Sequence, residues 1–275
     1  MNFQPVIPVS GYAGWAFLSR TLEAQQEAFE GSAQLARETT YFEENISAVS
    51  SAEDLIGDRR LLQVALGAFG LEEDINNKYF LQKVLEDGTL ETDALANRLS
   101  DKRYLEFSKA FGFGDFDTPR TVLSDFGTEI TDAYKTTQFE IAVGAQDENM
   151  RLAMGLDRAL SNIVATDTTD NGRWFTVMGQ PPVRAVFEAA LGLPASVGAL
   201  DLDLQLKAFR DKATARFGDG EIAQFADSDK REELVRLFLV QSQINGSART
   251  IGGSTALTLL QNANGGAAGI LSILA

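Results

Sequence analysis

The side chains with chemical capacity in this chain are carboxylates. They come in runs: Glu43-Glu44, Glu72-Glu73-Asp74, Asp147-Glu148, and Asp201 with Asp203. Two carboxyl groups facing one another across a cleft can act as acid and base on a glycosidic bond. Neighbours on a helix point about 100° apart, so these runs read as solvated faces and helix caps. Histidine and cysteine are both absent. Their absence excludes an imidazole base, a thiolate nucleophile and a Ser-His-Asp triad. It also excludes the usual zinc, copper and haem ligand sets, leaving only a hard-cation site built from oxygens.

Shorter stretches show little of the same capacity. Asp167-Thr-Thr-Asp-Asn-Gly172 is rich in oxygen atoms. It lacks the alternating acids and downstream Glu of a calcium loop, so it reads as an Asx-turn loop. Gly112-Phe-Gly114 follows a predicted helix, where a dinucleotide fingerprint follows a strand. Asn245-Gly-Ser247 matches a glycosylation sequon by pattern alone. Neither a phosphate-binding lysine loop nor a Gly-x-Ser-x-Gly elbow occurs. Gln146-Asp-Glu-Asn-Met-Arg151 is the most polar patch of the longest helical run. Asp147 and Glu148 stand four and three residues before Arg151, which makes a helix-stabilising network, each pair contributing about 0.2–0.5 kcal/mol. A buried ion pair in this patch is the sharper reading. The residues therefore assign no catalytic, cofactor-binding or metal-binding position.

What remains is surface. Trp15 sits close to an apolar N terminus and reads as a core residue or a partner contact. Leu257, Leu260, Ile270, Leu271 and Leu274 lie in a Gly- and Ala-rich tail. With Trp15 they form the candidate interaction surface, because apolar patches that do not pack on the body mark docking sites. The 275 residues carry 24 basic and 39 acidic side chains, a net charge of −15. That charge opposes nucleic acid and anionic membranes alike. No apolar run approaches the ~18 residues of a membrane-spanning helix. The N terminus holds no Lys or Arg before Arg20 and no secretory apolar core, so no cleaved signal peptide is expected.

Helices must position all of these residues. Apolar periodicity predicts a helical run from Gly14 to Ile46, with Gly31-Ser32 as a break. Ser51-Ala-Glu-Asp54 resembles a capping box, opening a helix over 55–69 that Gly70 stops. Helices are predicted over 77–85, 92–98 and 100–112. Thr118-Pro119 reads as the start of a run of over 40 residues, long enough that Gly127 or Gly144 should bend it. Further helices are predicted over 183–191, 202–217, 221–225 and 229–244. Pro5 and Pro8 predict an extended, mobile start.

Two halves of the chain match in order. Gly57–Leu71 aligns with Gly179–Leu193 at an offset of 122 residues. Ser100-Asp-Lys-Arg103 matches Ser228-Asp-Lys-Arg231, and Thr39-Thr-Tyr-Phe-Glu43 resembles Thr136-Thr-Gln-Phe-Glu140. The leading match is an amphipathic helix, a glycine suited to a left-handed turn and an apolar residue folding back. The expected architecture is all-α: two related helical modules from an internal duplication, with mobile Gly- and Pro-containing termini. The boundaries are 1–13 for the N-terminal segment, 14–117 and 118–245 for the modules, and 246–275 for the tail.

Tyr134-Lys-Thr-Thr-Gln-Phe-Glu140, Gln146–Ala153, Trp174–Pro182, Ala189–Pro194 and Asp201-Leu-Asp-Leu-Gln205 together resemble a bacterial family, domain of unknown function 1217, mainly alphaproteobacterial. The resemblance covers roughly residues 15–245. It implies a helical protein often associated with the flagellum, and it brings no catalytic or ligand residues and no cofactor. The expected function is that of a non-enzymatic structural or assembly protein of the bacterial flagellum, acting through protein–protein contacts. A cytoplasmic chaperone or regulator of flagellar export is the alternative, and a carboxylate-dependent enzyme the remote one. Expected partners are proteins, flagellar components among them, with a homo-oligomer as an open alternative and no nucleic acid or membrane insertion. The expected location is cytoplasmic or flagellum-associated, with any export occurring without a cleaved signal.

Overall fold

Helix starts and stops follow the capping chemistry of the sequence. A computed structural model describes residues 3–245 and contains no strand among them. The first long run becomes α1 (Gly11–Glu30) and α2 (Ala33–Asn45), divided at Gly31-Ser32 as expected. Ser51 accepts the Asp54 amide while Asp54 accepts the Ser51 amide, closing a full capping box on α3 (Ala52–Gly57). Asp58 then caps α4 (Arg59–Ala68) through the amides of Arg60 and Leu61. Next come α5 (Lys78–Asp87), the single turn α6 (Leu95–Arg98) and α7 (Arg103–Phe111).

The long second run divides differently from the expectation. Thr118-Pro119 opens only a 3-10 turn over Arg120–Val122, and α8 starts later (Phe126–Gly144). Thr121 is buried and donates to the Val49 carbonyl at 2.6 Å, which ties the segment to an earlier loop. Asp147 ends the run, because its side chain accepts the amides of Asn149 and Met150 and caps a new helix, α9 (Glu148–Ala165). The remainder is α10 (Asp170–Gly179), α11 (Pro181–Leu191), α12 (Leu202–Phe217) and α13 (228–245). Short 3-10 turns at Ala195–Ala199 and Ile222–Ala226 link the last of these.

The matched segments share their local form. Both α4 and α11 end in a glycine with positive φ, 67° at Gly70 and 64° at Gly192. In each, the next residue reaches back five positions, Leu71 to the Leu66 carbonyl and Leu193 to that of Glu188. This is the Schellman ending, which satisfies carbonyls that the helix leaves open. The neighbours differ: α4 packs on α8, α2 and α3, and α11 on α9, α10 and α12.

Burial gathers into two apolar cores. The first holds Leu35, Phe42, Leu55, Leu62, Leu66, Leu81, Phe107 and Phe111. The second holds Met150, Leu160, Trp174, Phe187, Phe209, Phe225 and Phe238. These cores do not follow chain order on either side of 117/118. α1 returns to the second core through Leu18, and α8 serves both, with Phe126, Ile130 and Tyr134 in the first and Phe139 and Val143 in the second. Apolar packing decides the grouping, and it follows helix faces rather than chain order.

Residues 3–8, which hold Pro5 and Pro8, form neither helix nor strand, and the chain bends at 9–10 into α1. Gln25, buried on α1, accepts the Val6 amide at 2.6 Å and donates to the Val6 carbonyl at 3.2 Å. Gln146 donates to the Pro5 carbonyl, and Phe3 and Ile7 pack on the second core.

Candidate functional site

α4 packs extensively on α8, and a glycine allows the close approach. Gly67 lies inside α4, where glycine costs about 1 kcal/mol relative to alanine. An ideal Cβ there would stand 2.6 Å from Tyr134 Cδ2, so the missing side chain is the space the ring occupies. The ring carries its hydroxyl to the seam between the cores, where it donates to Glu38 Oε2 at 2.7 Å. One turn on, Gln138 donates to Glu72 Oε1 at 2.8 Å. A cleft of about 310 Å³ opens here, lined by Phe3, Phe29, Leu35, Glu38, Gln63 and Tyr134 among others. Burial, then the Glu38 hydrogen bond, push the Tyr134 hydroxyl above its ordinary range. Burial also raises Glu72, against the opposing pull of the Gln138 hydrogen bond and Arg103. The hydroxyl therefore stays protonated and engaged, and the seam offers amide and carboxylate hydrogen bonds.

A second raised acid lies on α8 facing α9. Glu140 is buried and meets Arg158 at two points, Oε1 to Nη1 at 3.0 Å and Oε2 to Nη2 at 3.2 Å. Burial raises its carboxyl while Arg158 pulls it down. Gly155 borders the carboxylate, and an ideal Cβ there would stand 3.5 Å from Oε2, in ordinary contact. Arg151 lies over Gly144 in the same hairpin and pairs with Glu148. Within 146–151 the ion pair is Arg151 with Glu148, and it is solvent-exposed, as a helix-stabilising pair is, so no buried pair forms there; Glu140 instead pairs with the half-exposed Arg158. The readable sign was a charge inside the apolar run Phe139-Glu-Ile-Ala-Val143. Asp147, expected to pair with Arg151, caps α9 instead.

The first core ends in two loops clamped together. Asp115 accepts the Thr89 amide, the Thr89 hydroxyl at 2.7 Å and the Leu90 amide at 3.2 Å. Backbones touch beneath it, because an ideal Cβ on Gly114 would stand 2.7 Å from Gly88 Cα. Phe116 folds over Gly112, and Arg120 borders the same glycine. The clamp leaves apolar side chains in solvent: Leu90 is 69% exposed, Phe116 53%, Val122 48% and Leu123 49%. Composition gave no hint of these exposed groups, because residues 88–94 and 112–116 are brought together only by the Asp115 hydrogen bonds.

Other sequence-derived positions take structural places. Trp15 is half-buried and packs against the second core. Leu257, Leu260, Ile270, Leu271 and Leu274 lie outside the described residues. Trp174 is fully buried and donates from Nε1 to the Gly220 carbonyl at 2.9 Å. In the 167–172 stretch Thr169 caps α10, while Asp170 accepts the Ile222 amide at 2.8 Å and meets Arg210 at 3.2 Å. Among the described residues no group of three or more acids is placed to hold a metal ion, and no helix is long and apolar enough to cross a membrane.

The chain has a relative of known structure. The crystal structure of protein AGR_C_984 from Agrobacterium tumefaciens is similar over 88% of this chain and 99% of that one, with a TM-score of 0.71 and 25% identity. No curated protein matches the sequence. The model of the family described as protein of unknown function (DUF1217) matches residues 68–230, more than half of the chain, beginning at the end of α4 and closing in the first turn of α13. The chain belongs to the DUF1217 family.

Proposed function

We propose that this chain is a non-enzymatic structural or assembly protein associated with the bacterial flagellum, working through contacts with other proteins. The exposed apolar side chains of the clamped segments, Leu90, Phe116, Val122 and Leu123, carry the contact half of this reading. A rigid clamp holding several large apolar groups in water costs free energy that a partner recovers on docking. The flagellar half rests on the family resemblance set out from the sequence. The polar groups of the seam favour the same reading, because Tyr134 and Glu72 are hydrogen-bonded to other side chains of the fold.

Deleting the gene and fractionating cells that carry a tagged copy tests the proposal. Impaired swimming, with the protein in filaments, basal bodies or the culture medium, is the expected result. Retention in the cell with one flagellar subunit co-purifying favours an export chaperone or regulator instead. Normal swimming with no protein in flagellar fractions overturns the flagellar association.

A further inference from the structure

The clamped loops differ from the other exposed apolar residues in the charge around them. Segments 88–94 and 112–125 carry Glu91, Asp93, Asp115, Asp117 and Asp125, and Arg120 alone is basic. Asp115 is occupied by the clamp, and Arg120 meets Glu129 at 3.5 Å. Glu91, Asp93, Asp117 and Asp125 are exposed and make no ion pair among the described residues. The two segments that the Asp115 clamp joins thus carry four exposed apolar side chains and four unpaired carboxylates. Water solvates such a rim adequately but leaves the apolar centre uncovered.

Resting on the contact reading above, we propose that this surface docks a basic amphipathic segment of another protein, its apolar face on Phe116 and its neighbours and its lysines or arginines on the acidic rim. Charge selects the occupant. A second copy of this chain would bring the same carboxylates against each other, and the net charge of −15 adds to that repulsion. Nucleic acid and anionic lipid are repelled by the same rim. A neutral apolar segment would cover the centre and leave the four carboxylates partly desolvated without partners. A basic one covers the centre and pairs the rim, which also speeds encounter at low salt.

The test uses the full chain and a fluorescent helix-forming peptide with leucine on one face and lysine on the other. A second peptide replaces each lysine with glutamate. The protein variants are Phe116→Ser/Leu123→Ser and Asp93→Lys/Asp117→Lys, all at exposed positions, with circular dichroism melts to confirm folding. If the first variant melts early, Leu90→Ser replaces it. Fluorescence anisotropy should show the lysine peptide binding, weakened about tenfold or more by either variant and by added salt, while the glutamate peptide stays unbound. Undiminished binding to Phe116→Ser/Leu123→Ser overturns the proposal, because it reduces the effect to general attraction by an acidic body. Absence of lysine-peptide binding, or equal binding of both peptides, overturns it too. A dimer of the unaltered chain that Phe116→Ser/Leu123→Ser abolishes assigns the surface to a second copy and overturns it as well. Failure here leaves the fractionation result standing, since the flagellar association is read in cells and this docking in solution.

Discussion

The ring of Tyr134 lies against the backbone of Gly67, whose missing side chain lets α8 approach α4. An ideal Cβ on Gly67 would stand 2.6 Å from Tyr134 Cδ2, well inside contact distance. Gly67→Ala is therefore expected to lower stability by about 1–2 kcal/mol, the overpacking cost outweighing the helix propensity gained. Gly57→Ala, where nothing lies within 4 Å, is expected to be neutral or to stabilise by about 0.5 kcal/mol. Urea melts of both variants check this, and a stabilised Gly67→Ala protein would show that the ring is free to move aside.

Acid and neutral pH should pull stability in opposite directions. Glu72 and Glu140 are raised by burial above their ordinary 4.5. Their stabilising contribution is complete below that value and is lost as pH rises through the raised values. Asp54 is lowered from 3.8 by hydrogen bonds from Ser51 and Ser50. Asp58 is also lowered from 3.8; burial pushes it up, but hydrogen bonds from Tyr41 and from the Leu61 and Arg60 amides prevail. These two contribute stability above 3.8 that disappears as pH falls through their lowered values. The urea midpoint should thus peak in mild acid and decline toward neutrality. Glu72→Gln/Glu140→Gln should flatten that decline, and an unchanged slope in this variant would refute the assignment.

Gln25 should hold the N terminus. Its side chain satisfies both backbone groups of Val6 and donates to the Thr21 hydroxyl at 2.8 Å. Gln25→Ala is expected to cost about 1–2 kcal/mol and to raise amide exchange across residues 3–10. Hydrogen–deuterium exchange by mass spectrometry reads the effect, and protection equal to the parent protein would assign the anchoring to Gln146, Phe3 and Ile7.

Asp115 should govern the clamp and leave the cores intact. Asp115→Ala removes three hydrogen bonds to Thr89 and Leu90. A loss of about 1–3 kcal/mol is expected, with protease cleavage appearing within 88–94 before any elsewhere. Cleavage that begins instead in the seam would show that the two loops hold without it.

Local chemistry was legible in the sequence, and convergence was not. The capping box at Ser51, the break at Gly31-Ser32 and the Schellman ends at Gly70 and Gly192 depend on residues within six positions of one another. Each was readable for that reason. Thr118-Pro119 misled because a local start signal was overridden by a distant hydrogen bond, Thr121 to Val49. The Glu140–Arg158 pair and the Asp115 clamp join residues 18 and 26 apart, and no spacing rule marks them. The seam is further still from view: Tyr134 and Glu38 are 96 positions apart. The proposed docking surface is not legible in the sequence because its apolar residues are scattered singly, whereas those of the Gly- and Ala-rich tail are grouped.

α8 gives Phe126 and Ile130 to one apolar interior and Phe139 and Val143 to the other. A single unbroken rod of backbone is therefore the rib of both halves, and neither half can melt without stripping one end of it. Heat or denaturant should take the molecule apart in a single step. Fragments cut at 117/118 should be insoluble alone yet rebuild the native circular dichroism when mixed, because each supplies the wall the other lacks.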